Sequence, residues 1–196
     1  MTSAGVVLAA GTSSRMGSPK QLLDVGGRPM LERIVAAACA SRLDDIVVVL
    51  GADADRIRRL VDLGRARAVI NAQYMQGMST SLRAGVAALS DDIDRVVVVL
   101  GDQPDVDASL IDALLIVQEA SGLPAAALDF DGLLHPPVVL ARDLWPRIDE
   151  LRGDVGLRQL LRRDPDSVAR VAAASPAGHP VDIDTPRDAA ELIGDG

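Results

Sequence analysis

Near the start of the chain lies a run of small residues carrying two cations, Leu8-Ala9-Ala10-Gly11-Thr12-Ser13-Ser14-Arg15-Met16-Gly17-Ser18-Pro19-Lys20. Small side chains let backbone N–H groups come close to a polyphosphate, and Arg15 and Lys20 add positive charge. The spacing fits neither the dinucleotide fingerprint GxGxxG nor the Walker pattern GxxxxGK[ST]. An ordinary strand-to-helix turn would use the same glycines and serines. A second group is Gly101-Asp102-Gln103-Pro104, directly after an apolar run. A carboxylate there suits Mg2+ held through one oxygen together with waters and substrate phosphates. Helix capping is the competing use, with Asp105 and Asp107 close by.

A third group, Pro180-Val181-Asp182-Ile183-Asp184-Thr185-Pro186-Arg187-Asp188, puts Asp182 and Asp184 on one face of an extended segment. Thr185 suits a helix N-cap, Pro186 the first helical position and Asp188 the reciprocal acid of a capping box. That assignment leaves Asp184 without a structural task. A fourth combines Asn71 with Gly77-Met78-Ser79-Thr80-Ser81. Hydroxyls and amides at a helix start can read a base edge or ribose, and Ser79 or Ser81 can equally serve as caps. His135 precedes two prolines and reads as a loop residue; Gly153-Asp154 reads as a turn and cap for the helix that follows.

These groups need a frame. The 196 residues are 48% hydrophobic and 24% charged, enough for one globular domain over residues 1–196. A net charge of −8 argues against a nucleic-acid surface, which would need clustered Lys and Arg. Cys39, the single cysteine, lies among alanines and reads as a core residue. The chain enters an apolar strand without a basic leader, and no run approaches the length of a membrane span, so a cytoplasmic location is expected.

The runs 6–10, 46–50 and 96–100 each end at a glycine and read as strands buried on both faces. Between them the period becomes helical, with Met30, Leu31, Ile34, Val35 and Ala38 on one face. Ile57, Leu60 and Val61 form another such face, and Leu110, Ala113, Leu114 and Val117 a third. Alternating strand and helix predicts right-handed crossovers and a largely parallel sheet between helical layers. Residues 129–137 read as a loop opening a smaller second half. Ligands of such sheets lie beyond the carboxyl ends of the strands, where the glycine-terminated runs finish.

Taken together, the segments LAAGTSSRMGSPKQLL, NAQYMQGMSTSLRAG, VVVVLGDQP, HPPVVL, GDVGLRQLL and VDIDTPRDAAEL resemble, in order, the MobA-like nucleotidyltransferases, and most closely the molybdenum cofactor cytidylyltransferases. The resemblance implies an α/β, three-layer Rossmann-like fold of the GT-A type with a mostly parallel central sheet. It also implies a nucleotide-binding N-terminal half and an acceptor-binding C-terminal half.

By the same resemblance, Leu8, Ala9, Ala10 and Gly11 meet the nucleotide and Arg15 and Lys20 grip its phosphates. Asp102 and Asp184 match the family's Mg2+ ligands, with Arg15, Lys20 and Asp102 in the catalytic set. Asn71 and Ser81 fall where base and ribose are contacted, and His135 and Asp154 fall on the acceptor side. The implied reaction moves CMP from CTP to a molybdopterin-type phosphate and releases pyrophosphate. GTP as donor, a sugar-phosphate or alcohol-phosphate acceptor, and a non-catalytic carrier or chaperone are the alternatives. A recipient molybdoenzyme or its chaperone would be the downstream partner, with neither nucleic acid nor membrane involved. Pro137 and the segment Asp154-Val155-Gly156-Leu157 depart from the pattern of the cytidylyltransferases, and both departures bear on the acceptor.

Overall fold

The computed structural model describes residues 1–13, 16–154 and 157–172, together with 182, 183, 185 and 188. In chain order it contains β1 (Ser3–Ala9), α1 (Met30–Ala40), β2 (Asp45–Leu50), α2 (Ala54–Leu60), β3 (Arg67–Ile70), α3 (Met78–Ala87) and β4 (Arg95–Leu100). There follow α4 (Ala108–Ser121), β5 (Ala125–Phe130), β6 (Leu133–Ala141), α5 (Trp145–Ile148), α6 (Leu157–Arg163) and β7 (Val168–Ala172). The described strands form one seven-stranded sheet in the order β3-β2-β1-β4-β6-β5-β7. β1 pairs in parallel with β2 and β4, β2 with β3, and β5 with β7, while β6 runs antiparallel to both β4 and β5.

Side chains alternate across a strand, so a strand covered on both faces must be apolar at every position. β1 does this: Val7 and Ala9 enter the core beneath α1 and α4, whereas Val6 and Leu8 enter the core on the side of α3, α5 and α6. The same division holds in β2, with Val48 on one side and Val47 and Val49 on the other, and in β4, with Val97 and Val99 opposed to Val96 and Val98. Helices on both faces therefore make the three layers that the alternating pattern predicts. No described helix is long and apolar enough to cross a membrane.

Helix α1 buries Met30, Leu31, Ile34, Val35 and Ala38 as its spacing predicts. Cys39 is half-buried beside them, with its Sγ 3.9 Å from the Leu63 carbonyl. Two other faces differ from expectation. Leu60 is 56% exposed; helix α2 stops there, and Val61, in extended conformation, takes the place in the core. On α4 the buried residues are Ile111, Leu114, Leu115 and Gln118; of the expected Leu110, Ala113, Leu114 and Val117, Leu114 is among them, while Leu110 and Val117 are half-buried against the same core.

The physical reason for the burial of Gln118 on α4 is Arg95, buried at the start of β4. A buried guanidinium requires acceptors. Nη1 finds the Leu115 carbonyl and Gln118 Oε1, at 3.0 and 2.9 Å, and Nε finds Ser3 Oγ at 2.8 Å. Gln118 is thereby held inward beside the apolar face.

Residues 129–137 are not the loop expected from their composition. They hold the end of β5, the Asp131-Gly132 turn and the start of β6, including a cis Pro136-Pro137 peptide. Asp129 accepts a hydrogen bond from the Gly132 N–H at 2.8 Å and closes the hairpin. This hairpin does not open a separate half: β6 is inserted between β4 and β5 in the same sheet.

Candidate functional site

A cleft of about 610 Å³ opens at the carboxyl ends of β1 and β4. Its walls bring together Leu8, Ala9, Ala10 and Gly11 from the end of β1 and the loop after it, Lys20 from the far end of that loop, and Asp102 from the loop after β4. Ser81 of α3 and Asp154 also line it. Arg15 and Asp184 lie outside the described residues.

Adjacent parallel strands deliver the two loops to one place, because Leu8 is in register with Leu100. Gly101 makes the close approach possible. A Cβ there would stand 2.8 Å from the Leu8 carbonyl oxygen and 2.9 Å from the Ala9 Cβ, so only glycine lets the end of β4 sit against β1. Asp102 follows immediately, and its Oδ2 accepts a hydrogen bond from Lys20 Nζ at 2.6 Å. The two side chains are 19% and 15% exposed, so water screens the pair only partly. Capping, the competing task for Asp102, belongs to Asp107. Its carboxylate accepts from the Leu110 N–H at 2.8 Å at the start of α4, and from the Ser109 hydroxyl at 2.7 Å.

The long loop is held from inside by Gln21, a residue that the pattern of small residues and cations does not single out. Gln21 is buried and donates to the carbonyls of Ala9 and Gly11 at 2.9 and 3.1 Å. Ser13 Oγ donates to Gln21 Oε1 at 3.3 Å and accepts from the Lys20 N–H at 2.9 Å. Sequence periodicity carries no signal for such a residue, since its partners are loop carbonyls.

Asn71 and the start of α3 are arranged differently from a base-reading surface. Asn71 is buried and does not line the cleft. Its Nδ2 donates to Thr80 Oγ1 and Ser81 Oγ at 2.8 and 3.0 Å, and its Oδ1 accepts from the Gln73 N–H at 2.9 Å. It thus fixes the wall on which Ser81 stands. Ser79 caps nothing: its Oγ is buried without a hydrogen-bond partner among the described residues.

The amides at the start of α3 are engaged by the second half of the chain. Asp154 Oδ1 accepts from the Met78 N–H at 3.3 Å, and the Gly153 carbonyl accepts from the Ser79 N–H at 3.1 Å. Asp154 therefore caps α3, whereas its sequence position suggests a cap for the helix that follows it. Gly77 has φ +102, and a Cβ on it would stand 2.3 Å from the Gly153 carbonyl carbon. The two halves of the cleft meet through glycine backbones.

His135 sits on β6, half-buried, with Arg158 Nη2 3.1 Å from its Nδ1. It does not line the cleft. Nearby, the Arg170 guanidinium beside Asp129 holds that carboxyl below the ordinary range, helped by the Gly132 N–H. The reciprocal capping box at Thr185 and Asp188 is present: the Thr185 N–H donates to Asp188 Oδ2 at 2.7 Å, and the Asp188 N–H to Thr185 Oγ1 at 3.3 Å. Asp182 lines the cleft and accepts from Gln103 Nε2 at 2.8 Å, while the Ile183 N–H donates to the Asp102 carbonyl at 3.0 Å.

Among the described residues no three His, Cys, Asp or Glu side chains converge as a metal cage. The described charges of the cleft are Lys20 against Asp102, Asp154 and Asp182. Hard carboxylate oxygens without a closed cage suit a cation that keeps waters and completes its shell with substrate phosphates, such as Mg2+ or Mn2+. A triphosphate entering this acidic cleft needs such a cation to offset the repulsion.

Comparison with known proteins agrees with this architecture. The model of the MobA-like NTP transferase domain matches residues 5–172. Nicotine blue oxidoreductase of Paenarthrobacter nicotinovorans is 33% identical over 168 residues, covering 82% of each chain. The purine catabolism protein PucB of Bacillus subtilis is 32% identical over 197 residues, covering 94% of this chain and 92% of its own. Among solved structures, Rv0371c of Mycobacterium tuberculosis superposes with a TM-score of 0.87 at 26% identity, covering 98% of both chains. The same protein has been solved in complex with manganese, and that structure superposes with a TM-score of 0.83. A helix-flanked, mostly parallel sheet carrying a glycine-rich loop and an acidic residue at adjacent strand ends is the nucleotidyltransferase α/β fold, and this chain belongs to the MobA-like NTP transferase family.

Proposed function

We propose that the protein transfers CMP from CTP to the terminal phosphate of a molybdopterin-type acceptor and releases pyrophosphate. The observation that carries this reading is the meeting of the glycine-rich loop, Lys20 and Asp102 in one cleft, with Lys20 Nζ 2.6 Å from Asp102 Oδ2. An acceptor phosphate oxygen attacks the α-phosphorus of the nucleotide in line. The bond from that phosphorus to the bridging oxygen breaks, and pyrophosphate leaves with the electron pair.

The acceptor phosphate is already ionised, so no strong general base is required. The chain's task is positioning and charge stabilisation. Loop residues 8–11 hold the nucleotide against the strand ends, and Lys20 turns from Asp102 to the phosphates. Arg15, from the same loop, adds a second cation to the phosphates. Asp102 and Asp184 are the carboxylates that would hold Mg2+, and Asp182, close to Asp184 in sequence, lines the cleft with Asp102. The bound ion would offset phosphate charge and orient the α-phosphate. Asp154, which also lines the cleft, is assigned to the acceptor in this reading.

Ala10 supports the choice of base. It lines the cleft, and in this reading a methyl at position 10 narrows the space beside the base that the second ring of a purine would need. Guanylyl transfer is thus the less favoured use of the same site. The decisive experiment measures pyrophosphate release with each of the four nucleoside triphosphates, with and without molybdopterin. CTP-dependent and acceptor-dependent release is expected. CTP binding without release would point to a carrier, and GTP-dependent release to guanylyl transfer. Because one relative is a nicotine blue oxidoreductase, redox turnover of nicotine blue is tested in the same preparations. Such turnover in place of pyrophosphate release would overturn the reading.

A further inference from the structure

Gln21 belongs to neither the cationic nor the acidic groups of the cleft, yet its side chain is bonded to three residues of the loop, Ala9, Gly11 and Ser13. It is 2% exposed. Both hydrogens of its amide have acceptors, the carbonyls of Ala9 and Gly11, at 2.9 and 3.1 Å. Its Oε1 receives the hydroxyl of Ser13 at 3.3 Å, and Ser13 Oγ in turn receives the backbone N–H of Lys20 at 2.9 Å. The result is a closed ring of hydrogen bonds that joins the start of the loop, its middle and its end.

Two consequences follow from the chemistry of the peptide. In a trans peptide the C=O and the following N–H point in opposite directions. With the Ala9 and Gly11 carbonyls turned onto Gln21, the N–H groups of Ala10 and Thr12 are turned the other way. Both residues line the cleft. The bond from Lys20 N–H to Ser13 also fixes the backbone from which the Lys20 side chain reaches Asp102. A loop of glycine and serine would otherwise populate many conformations and would lose that freedom on meeting a ligand.

We propose that Gln21 is a positioning residue. By clamping the Ala9 and Gly11 carbonyls it holds the glycine-rich loop in a nucleotide-ready shape before a nucleoside triphosphate arrives, and so sets the affinity for that triphosphate. The proposal rests on the reading of the cleft as a nucleoside triphosphate site. It deepens that reading by naming the group that shapes the loop.

The test is calorimetric titration of the whole protein with each of the four nucleoside triphosphates in the presence of MgCl2, followed by steady-state kinetics with the tightest binder. Gln21→Met keeps the length of the side chain and removes the three hydrogen bonds that Gln21 makes in the ring, leaving only that from the Lys20 N–H to Ser13. Its dissociation constant is expected to rise about ten- to a hundredfold, the scale of one buried and one part-buried carbonyl left without their donor. Turnover at saturating nucleotide is expected to change by less than about threefold, because ground state and transition state both need the formed loop.

Ser13→Ala, at a half-buried position outside the core, cuts only the links from Ser13 to Gln21 and Lys20. It is expected to weaken binding in the same direction by a smaller factor, and it decides the matter if Gln21→Met does not fold. Wild-type nucleotide affinity in a folded Gln21→Met protein, or in Ser13→Ala when that is the only folded variant, overturns the proposal. A loss confined to turnover at unchanged affinity overturns it as well. If the wild type binds none of the four nucleotides, the reading of the cleft fails first, and the two failures are told apart by that one titration.

Discussion

Lys20 Nζ lies 2.6 Å from Asp102 Oδ2, although 82 residues separate them in sequence. One stands at the end of the loop after β1 and the other at the end of β4, and the parallel pairing of these strands closes the distance. The pair holds together the two groups on which the proposed chemistry depends. Under the proposed function, an incoming triphosphate would draw the ammonium away from the carboxylate.

Removing either partner therefore gives different signatures. Asp102→Asn keeps the size of the side chain and an acceptor oxygen for Lys20, so the far-UV circular dichroism spectrum should match that of the wild type. Pyrophosphate release should fall by about two orders of magnitude or more. Lys20→Ala removes a charge-assisted contact to phosphate, roughly 1.5–3 kcal/mol, and should weaken binding of every nucleotide tenfold or more regardless of base. A change in acceptor affinity alone would assign the loop to the wrong substrate.

Base choice should respond to Ala10. A steric difference of this size is worth about 1–3 kcal/mol, or roughly 10–200-fold discrimination. Wild-type protein should prefer CTP to GTP in a steady-state comparison with one acceptor preparation. Ala10→Gly should narrow the gap, and an unchanged ratio would show that the methyl does not read the base.

The joint between the two halves of the cleft should be sensitive to one methyl group. Gly77→Ala places a Cβ 2.3 Å from the Gly153 carbonyl carbon on a residue with φ +102. The left-handed backbone alone costs about 1–3 kcal/mol, before the start of α3 shifts away from Asp154. Urea denaturation should report a lower midpoint. Activity measured well below that midpoint should also fall, because Ser81 and Asp154 line the cleft on either side of this contact. A wild-type midpoint would mean that the two backbones do not meet so closely.

Asp107 gives a test by pH. The Ser109 hydroxyl and then the Leu110 N–H hold its carboxyl below the ordinary range. Because the folded-state value is depressed, the stabilisation is present above the unfolded-state value and is lost as the pH falls through the folded-state value. Asp107→Ala should lower stability near pH 7 by about 0.5–2 kcal/mol, the usual worth of an N-cap. The difference from wild type should shrink in the acid range below about pH 4. An equal difference at pH 7 and pH 3 would mean that the ionised carboxylate is not the cap.

Much of this molecule is local and therefore legible in the chain. Continuous β-branched runs ending in glycine mark strands buried on both faces, the spacing of Met30, Leu31, Ile34, Val35 and Ala38 marks the inner face of α1, and the capping box of Thr185 and Asp188 forms as its residue types require. The glycine-rich loop and Asp102 could be named as chemical groups because residue type and the strand before each of them suffice.

What the chain could not tell was where polar groups find their partners, since those partners come from distant elements. Composition made residues 129–137 a loop, but β6 finds edges on β4 and β5 and becomes a strand. Periodicity placed Val117 inward, where it packs half-buried, but it gave no sign that Gln118 would be buried as the acceptor for Arg95. Asn71 has the chemistry of a base reader, yet its amide is spent on Thr80, Ser81 and the Gln73 N–H. Gln21 looks like a surface glutamine and is instead the inner clamp of the loop. Hydrophobic period is a property of neighbours in sequence, whereas satisfaction of a buried polar atom is a property of neighbours in space, and only the tertiary structure decides the second.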